Sequence, residues 1–166
     1  MLFVHLAAES ALKSIRRSGI KPSAYSPRDV PLGVFALPVV ANFYASHQWL
    51  RELKRKGVRT IVAVYFRIPD EELVWLGHYR EVHERMTAAR AGGFLANLAE
   101  FEGFEVVIPR KIRPSEVHRT AELPQVLGWR YFPGAHGRKP CGCEFCQRGL
   151  FGGRRIRERY RTEAGS

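Results

Sequence analysis

Phe104-Glu105-Val106-Val107-Ile108-Pro109 is the stretch on which the fold of this chain turns. Aromatic and β-branched residues run between Gly103 and a terminal Pro109, the composition of a short buried strand. Period-two geometry puts Phe104, Val106 and Ile108 on one face and Glu105 and Val107 on the other. A carboxylate inside such a strand is costly to desolvate unless something pairs it or uses it. Glu105 therefore reads in two ways. It is either a strand-edge acid in water or beside one of the many arginines, or the acid of a functional site.

Working outward, the chain before this strand supplies a first strand at 2–6 carrying His5 and a helix at 9–18 stopped by Gly19. A Pro-rich loop at 21–31 and a strand at 33–37 follow. The apolar stripe Phe43, His47, Leu50, Leu53 predicts a long helix over 39–56. The run Thr60-Ile61-Val62-Ala63-Val64-Tyr65-Phe66 predicts a central strand, apolar on both faces. Residues 69–72 make a turn and 73–77 a further strand. Over 78–93 the pattern is mixed, with a helical piece at 86–90 broken at Gly92-Gly93 and another turn or two of helix at 94–100. Beyond Pro109 come a connection to Pro114, a short strand at 116–119 and a last one at 126–132. This order is no regular alternation of strand and helix. It predicts an α+β fold: two small, mainly antiparallel sheets, or one split, bent sheet, with flanking helices. Residues 1–132 form that domain, and 133–166 a zinc-binding, arginine-rich appendage.

The charge balance points to a polyanion. Lys and Arg total 27 against 16 Asp and Glu, a formal net charge of +11 in 166 residues, which favours nucleic acid or a phosphate-bearing cofactor. No apolar run is long enough to span a bilayer, and the opening Met1-Leu2-Phe3-Val4-His5 has neither the basic n-region nor the small-residue cleavage site expected of a secretory signal. All three cysteines fall within six positions, a metal spacing rather than a disulfide framework. The expected location is the cytoplasm.

Those cysteines form the most specific motif. In Cys141-x-Cys143-x-x-Cys146, Gly142 permits the tight turn that lets three thiolates converge on one ion. His136 can supply the fourth ligand of a closed, structural zinc site, with His118, His78 and His83 as alternatives from the body of the fold. Residues 138–161 hold eight cations and two anions. Arg154, Arg155 and Arg157 sit there in a helical pattern suited to phosphate contacts. His78, Glu81, His83 and Glu84 have no metalloprotease spacing and read as a solvated loop.

The order of elements, with His5, Tyr44 and Glu105, resembles the ADP-ribosyltransferase fold of the diphtheria-toxin and poly-ADP-ribose polymerase type. That group carries a His-Tyr-Glu signature on separate elements. The opening stretch from His5 through Leu12, Ile15 and Gly19 is also similar to toxin-like members acting on DNA and to RNA 2′-phosphotransferases. The resemblance covers residues 1–120. It implies NAD as substrate, with His5 positioning the dinucleotide and Tyr44 stacking on nicotinamide, a role Tyr25 or Tyr65 could equally take. Glu105 would stabilise the positive charge that grows on the ribose as nicotinamide leaves, and Arg16 or Arg17 would bind the pyrophosphate. Leu6-Ala7 stands where the family has small or hydroxyl residues. Gly103 stands where arginine-modifying members need a polar residue, so the acceptor implied is a nucleic acid rather than a protein arginine. The other readings are a non-enzymatic, zinc-containing nucleic-acid binder and, third, a relative of the phosphotransferases.

Overall fold

The computed structural model describes residues 1–26, 30–50, 53, 58, 60–79 and 81–123, with Phe43 and Tyr44 by backbone alone. The chain divides into two units, Met1–Leu50 with Arg59–Leu123, and Arg51–Val58 with Pro124–Ser166. Of the second unit only Leu53 and Val58 are described. The expected strand at 126–132, the cysteine cluster, His136 and the basic tail lie outside the described residues.

The first unit is α+β and built on one seven-stranded sheet. Its strands are β1 (Leu2–Ala8), β2 (Val34–Pro38), β3 (Ile61–Arg67), β4 (Leu73–His78), β5 (Glu84–Thr87), β6 (Phe104–Ile108) and β7 (Val117–Glu122). They lie in the order β5-β4-β6-β2-β1-β3-β7, and every described pairing is antiparallel. β3 owes its unbroken apolar run to burial on both faces. It pairs with β1 over seven residues and with β7 on its other side. Phe3 and Phe66 oppose each other across β1 and β3 and stack at 5.9 Å.

β2 is the joint of the sheet. Residues Val34, Phe35 and Ala36 pair with Ile108, Val107 and Val106 of β6, whereas Leu37 and Pro38 pair with Val4 and Phe3 of β1. β2 thus changes partners between Ala36 and Leu37, and β1 and β6 part company there. The expected choice between two sheets and one split sheet resolves as a single strand order with this seam.

Three α-helices flank the sheet among the described residues: α1 (Leu12–Ser18), α2 (Phe43–His47) and α3 (Ala88–Asn97). α1 buries Ile15 and ends at Gly19, whose φ of +77° only glycine adopts without strain, and whose N–H donates to Ile15 O. A side chain there would also collide with the Ile112 carbonyl.

Two expectations need correction. The second helix neither starts at Val39 nor runs unbroken to 56: α2 ends at His47, and Gln48 and Trp49 form a turn. The Val39 N–H is taken by Leu2 O at 2.9 Å, prolonging the ladder, and Asn42 Oδ1 then accepts from Ala45 N as a cap. Nor does Gly92-Gly93 break a helix. α3 runs through both, capped by Thr87, whose hydroxyl accepts from Arg90 N at 3.3 Å. Ala88, Ala91, Gly92 and Leu95 form its buried stripe, and Gly92 makes room for the Met1 side chain.

Arg110, just past β6, fastens three segments. Its guanidinium donates to both carboxylate oxygens of Glu72 at 2.7 and 2.8 Å, and to both of Glu116 at 2.6 and 2.8 Å. Glu116 in turn accepts from Arg113 N at 2.7 Å.

Candidate active site at a strand seam

Glu105 stands opposite Gly77 of β4 and is 8% exposed. Facing residues of antiparallel strands share a face, so a side chain at 77 would occupy the space beside the carboxylate. Gly77 leaves that space to the His83 ring: an added Cβ would lie 2.6 Å from its Cγ and 2.7 Å from its Nδ1. His83 is buried, and its Nε2 stands 3.2 Å from Glu105 Oε1, off the line of a hydrogen bond. Its Nδ1 lies 3.1 Å from Glu81 O. Both ring nitrogens therefore face oxygens, and a carbonyl can only accept. Of the four residues read as a solvated loop, Glu81 and Glu84 are exposed and His78 is half-buried at the end of β4, as that reading has it, whereas His83 is buried.

Across the seam, His5 lies on β1 opposite Val64. Its Nδ1 meets Phe35 O at 2.7 Å. Strand carbonyls point along the sheet rather than out of it, so the half-buried ring occupies the gap where the β1–β2 ladder has opened. It replaces a lost main-chain donor. The carbonyl fixes Nδ1 as the protonated nitrogen and leaves Nε2 as an acceptor. Burial pushes the pKa below its ordinary 6.5, outweighing the opposing Phe35 hydrogen bond, so this imidazole is neutral at pH 7.

The registers set out what shares a face. Leu37, Val4, Tyr65 and Arg119 form one file across β2, β1, β3 and β7. Continuing the β2–β6 register by one residue adds Glu105 to it. His5 belongs to the neighbouring file, and its Cβ leaves from the other face; only the in-plane position of its ring brings it to the seam. Tyr65 is buried, its hydroxyl 3.1 Å from His47 Nε2 and its ring 4.0 Å beneath the Arg119 guanidinium. Tyr25 is 61% exposed and stacks on Phe35 at 6.2 Å, beside the carbonyl that holds His5. Tyr44 falls in α2, where the backbone alone is described. Arg16 and Arg17 are exposed on the last turn of α1, and Arg16 reaches Thr120 Oγ1 at 3.5 Å. No described contact joins them to His5 or Glu105.

No family model, curated protein or solved structure matches this chain. The site must be argued from its own residues. Sequence reasoning named His83 as an alternative zinc ligand and missed its place beside Glu105, which the isolated Gly77 in an apolar strand could have signalled, since glycine there marks close approach by another group. It also missed the His47–Tyr65 bond. The helical spacing that placed His47 on a buried face was visible, but its partner lay 18 residues away. Among the described residues no cluster of metal ligands occurs, and no helix is long and apolar enough to cross a membrane.

Proposed function

We propose that the chain is an NAD-dependent ADP-ribosyltransferase-like enzyme whose acceptor is a nucleic acid. The observation that carries this reading is a buried carboxylate, Glu105, in an apolar strand with the buried His83 ring 3.2 Å away; the neutral, tautomer-fixed His5 lies on β1, beyond β2, with its Cβ on the opposite face. Cleaving the nicotinamide–ribose bond builds positive charge on the sugar. A desolvated carboxylate beside the anomeric carbon stabilises that charge more than water would. His5 Nε2 would accept a ribose hydroxyl and hold the dinucleotide. An exposed aromatic such as Tyr25, or Tyr44, would cover the nicotinamide ring. His83 would limit the positions open to the Glu105 carboxylate by packing against it.

Incubation with nicotinamide-labelled NAD should release nicotinamide. Glu105→Gln should lower that release about 100-fold or more, while its amide can still donate to His83 and preserve packing. Release by Glu105→Gln at the wild-type rate would reject the reading.

We further propose a structural zinc held by Cys141, Cys143, Cys146 and His136. The purified chain should carry one equivalent of zinc by elemental analysis, and Cys143→Ser should lose it. Wild-type protein without zinc would remove this part alone. The +11 charge favours a second reading, a non-enzymatic zinc-containing nucleic-acid binder with Arg154, Arg155 and Arg157 on the phosphates. It predicts no nicotinamide release from the wild-type protein.

A further inference from the structure

We infer that the outer face of α1, the turn after it and the segment following β6 together form a docking surface for the phosphate backbone of a nucleic-acid strand. Lys13, Arg16 and Arg17 lie at helical spacing i, i+3 and i+4, on the side of α1 away from the buried Ile15. Lys21 follows directly. Lys111 and Arg113 join the same surface through the Ile20–Ile112 bridge, where each N–H donates to the other residue's carbonyl at 2.9 and 3.0 Å. All six cations are exposed, and none makes an ion pair among the described residues.

This is no ordinary mixed surface. Cations three and four residues apart on a helix repel each other. Lys13 stands near the N-terminal end of α1, where the helix dipole disfavours it. Of the carboxylates around this surface, Glu116 is consumed by Arg110 and the Arg113 amide. Glu9, one turn before Lys13, and Glu122, two residues beyond Thr120, border the α1 end. Asp70, Glu71, Glu81, Glu84 and Glu100 are exposed around β4, β5 and the end of α3, at the other side of the strand order. Six cations against two bordering acids leave a local positive excess, and an anionic strand would relieve the repulsion.

A strand of phosphates fits better than a single phosphate because the cations extend from a helix face into two loops. It fits better than a membrane because Ile20 and Ile112, the apolar residues at the junction, are buried and leave nothing to insert. Arg16 touches Thr120, which pairs with Val64 in the file of His5, so this contact lies on the face of the sheet opposite to that of Glu105. Binding at the surface needs no NAD chemistry and stands if that chemistry fails.

The test is fluorescence anisotropy of the full chain with a labelled 20-nucleotide single strand, without NAD, from 50 to 200 mM NaCl. If four phosphates are contacted, affinity should fall about 50-fold over that range, from a slope of about −0.7 per contact. Lys13→Gln/Arg16→Gln/Arg17→Gln and Lys21→Gln/Lys111→Gln/Arg113→Gln should each weaken binding at least tenfold and flatten the slope. Arg67→Gln/Arg85→Gln/Arg90→Gln removes the same charge from exposed positions elsewhere and should change binding less than threefold. Circular dichroism melting confirms that each variant folds. Equal loss in all three variants would make the effect one of net charge and overturn the proposal. So would loss confined to Arg154→Gln/Arg155→Gln/Arg157→Gln. Unchanged strand binding, with the α1 variant losing only its binding to phosphatidylserine vesicles, would assign the surface to a membrane and also overturn it.

Discussion

Two histidines have different surroundings. His5 has one nitrogen committed to a carbonyl and is kept neutral by burial. His83 has an oxygen near each ring nitrogen, Glu81 O at 3.1 Å and Glu105 Oε1 at 3.2 Å. His5 therefore gives a stability prediction with a definite sign. Its folded pKa lies below the unfolded value near 6.5, so between those values the unfolded chain binds more protons. The stability that His5 contributes is full above pH 6.5 and declines as pH falls from there through the folded pKa. Urea midpoints measured from pH 7.5 to 5 should show this decline, and His5→Gln, whose amide can still donate to Phe35 O, should flatten it. A wild-type midpoint independent of pH in that window would mean the imidazole is not buried as described.

At the scale of elements, β3 and β6 were legible because their apolar runs between Gly and Pro admit few alternatives. The departures came where a local signal met a tertiary one. Val39 belongs to a helical apolar stripe, yet the Leu2 carbonyl takes its amide. Gly92-Gly93 looks like punctuation, yet α3 needs a residue without a side chain where Met1 crosses it. Arg110 could not have been singled out among 27 basic residues. Its value lies in Glu72 and Glu116, which no spacing announces. Hydrogen bonding to Arg110 holds the Glu116 carboxylate below its usual range. The clamp therefore contributes fully above the ordinary carboxylate pKa and is lost as pH falls through the depressed one. Arg110→Gln leaves two acids facing each other and should cost about 1–3 kcal/mol at pH 7, discounted toward the lower figure because the group is partly exposed. Urea denaturation at pH 7 and pH 3.5 checks this: the gap between wild type and variant should shrink at the lower pH.

For the molecule as a whole, the α+β class followed from the order of elements, since irregular alternation excludes a doubly wound sheet. The strand order did not, because β6 inserting between β4 and β2 is a long-range choice no local pattern encodes. Glu105 was legible as a carboxylate in an apolar strand; its neighbours were not, because His83 reaches it from a hairpin that reads as polar. The seam has one more consequence. As ladders, β1-β3-β7 and β5-β4-β6 are held together through the five residues of β2 alone. One residue inserted between Ala36 and Leu37 would leave every other pairing intact while turning one half of the molecule over against the other. Glu105 would then look out from the opposite side of its neighbours, so the length of one short strand decides which surface of the sheet receives the buried acid.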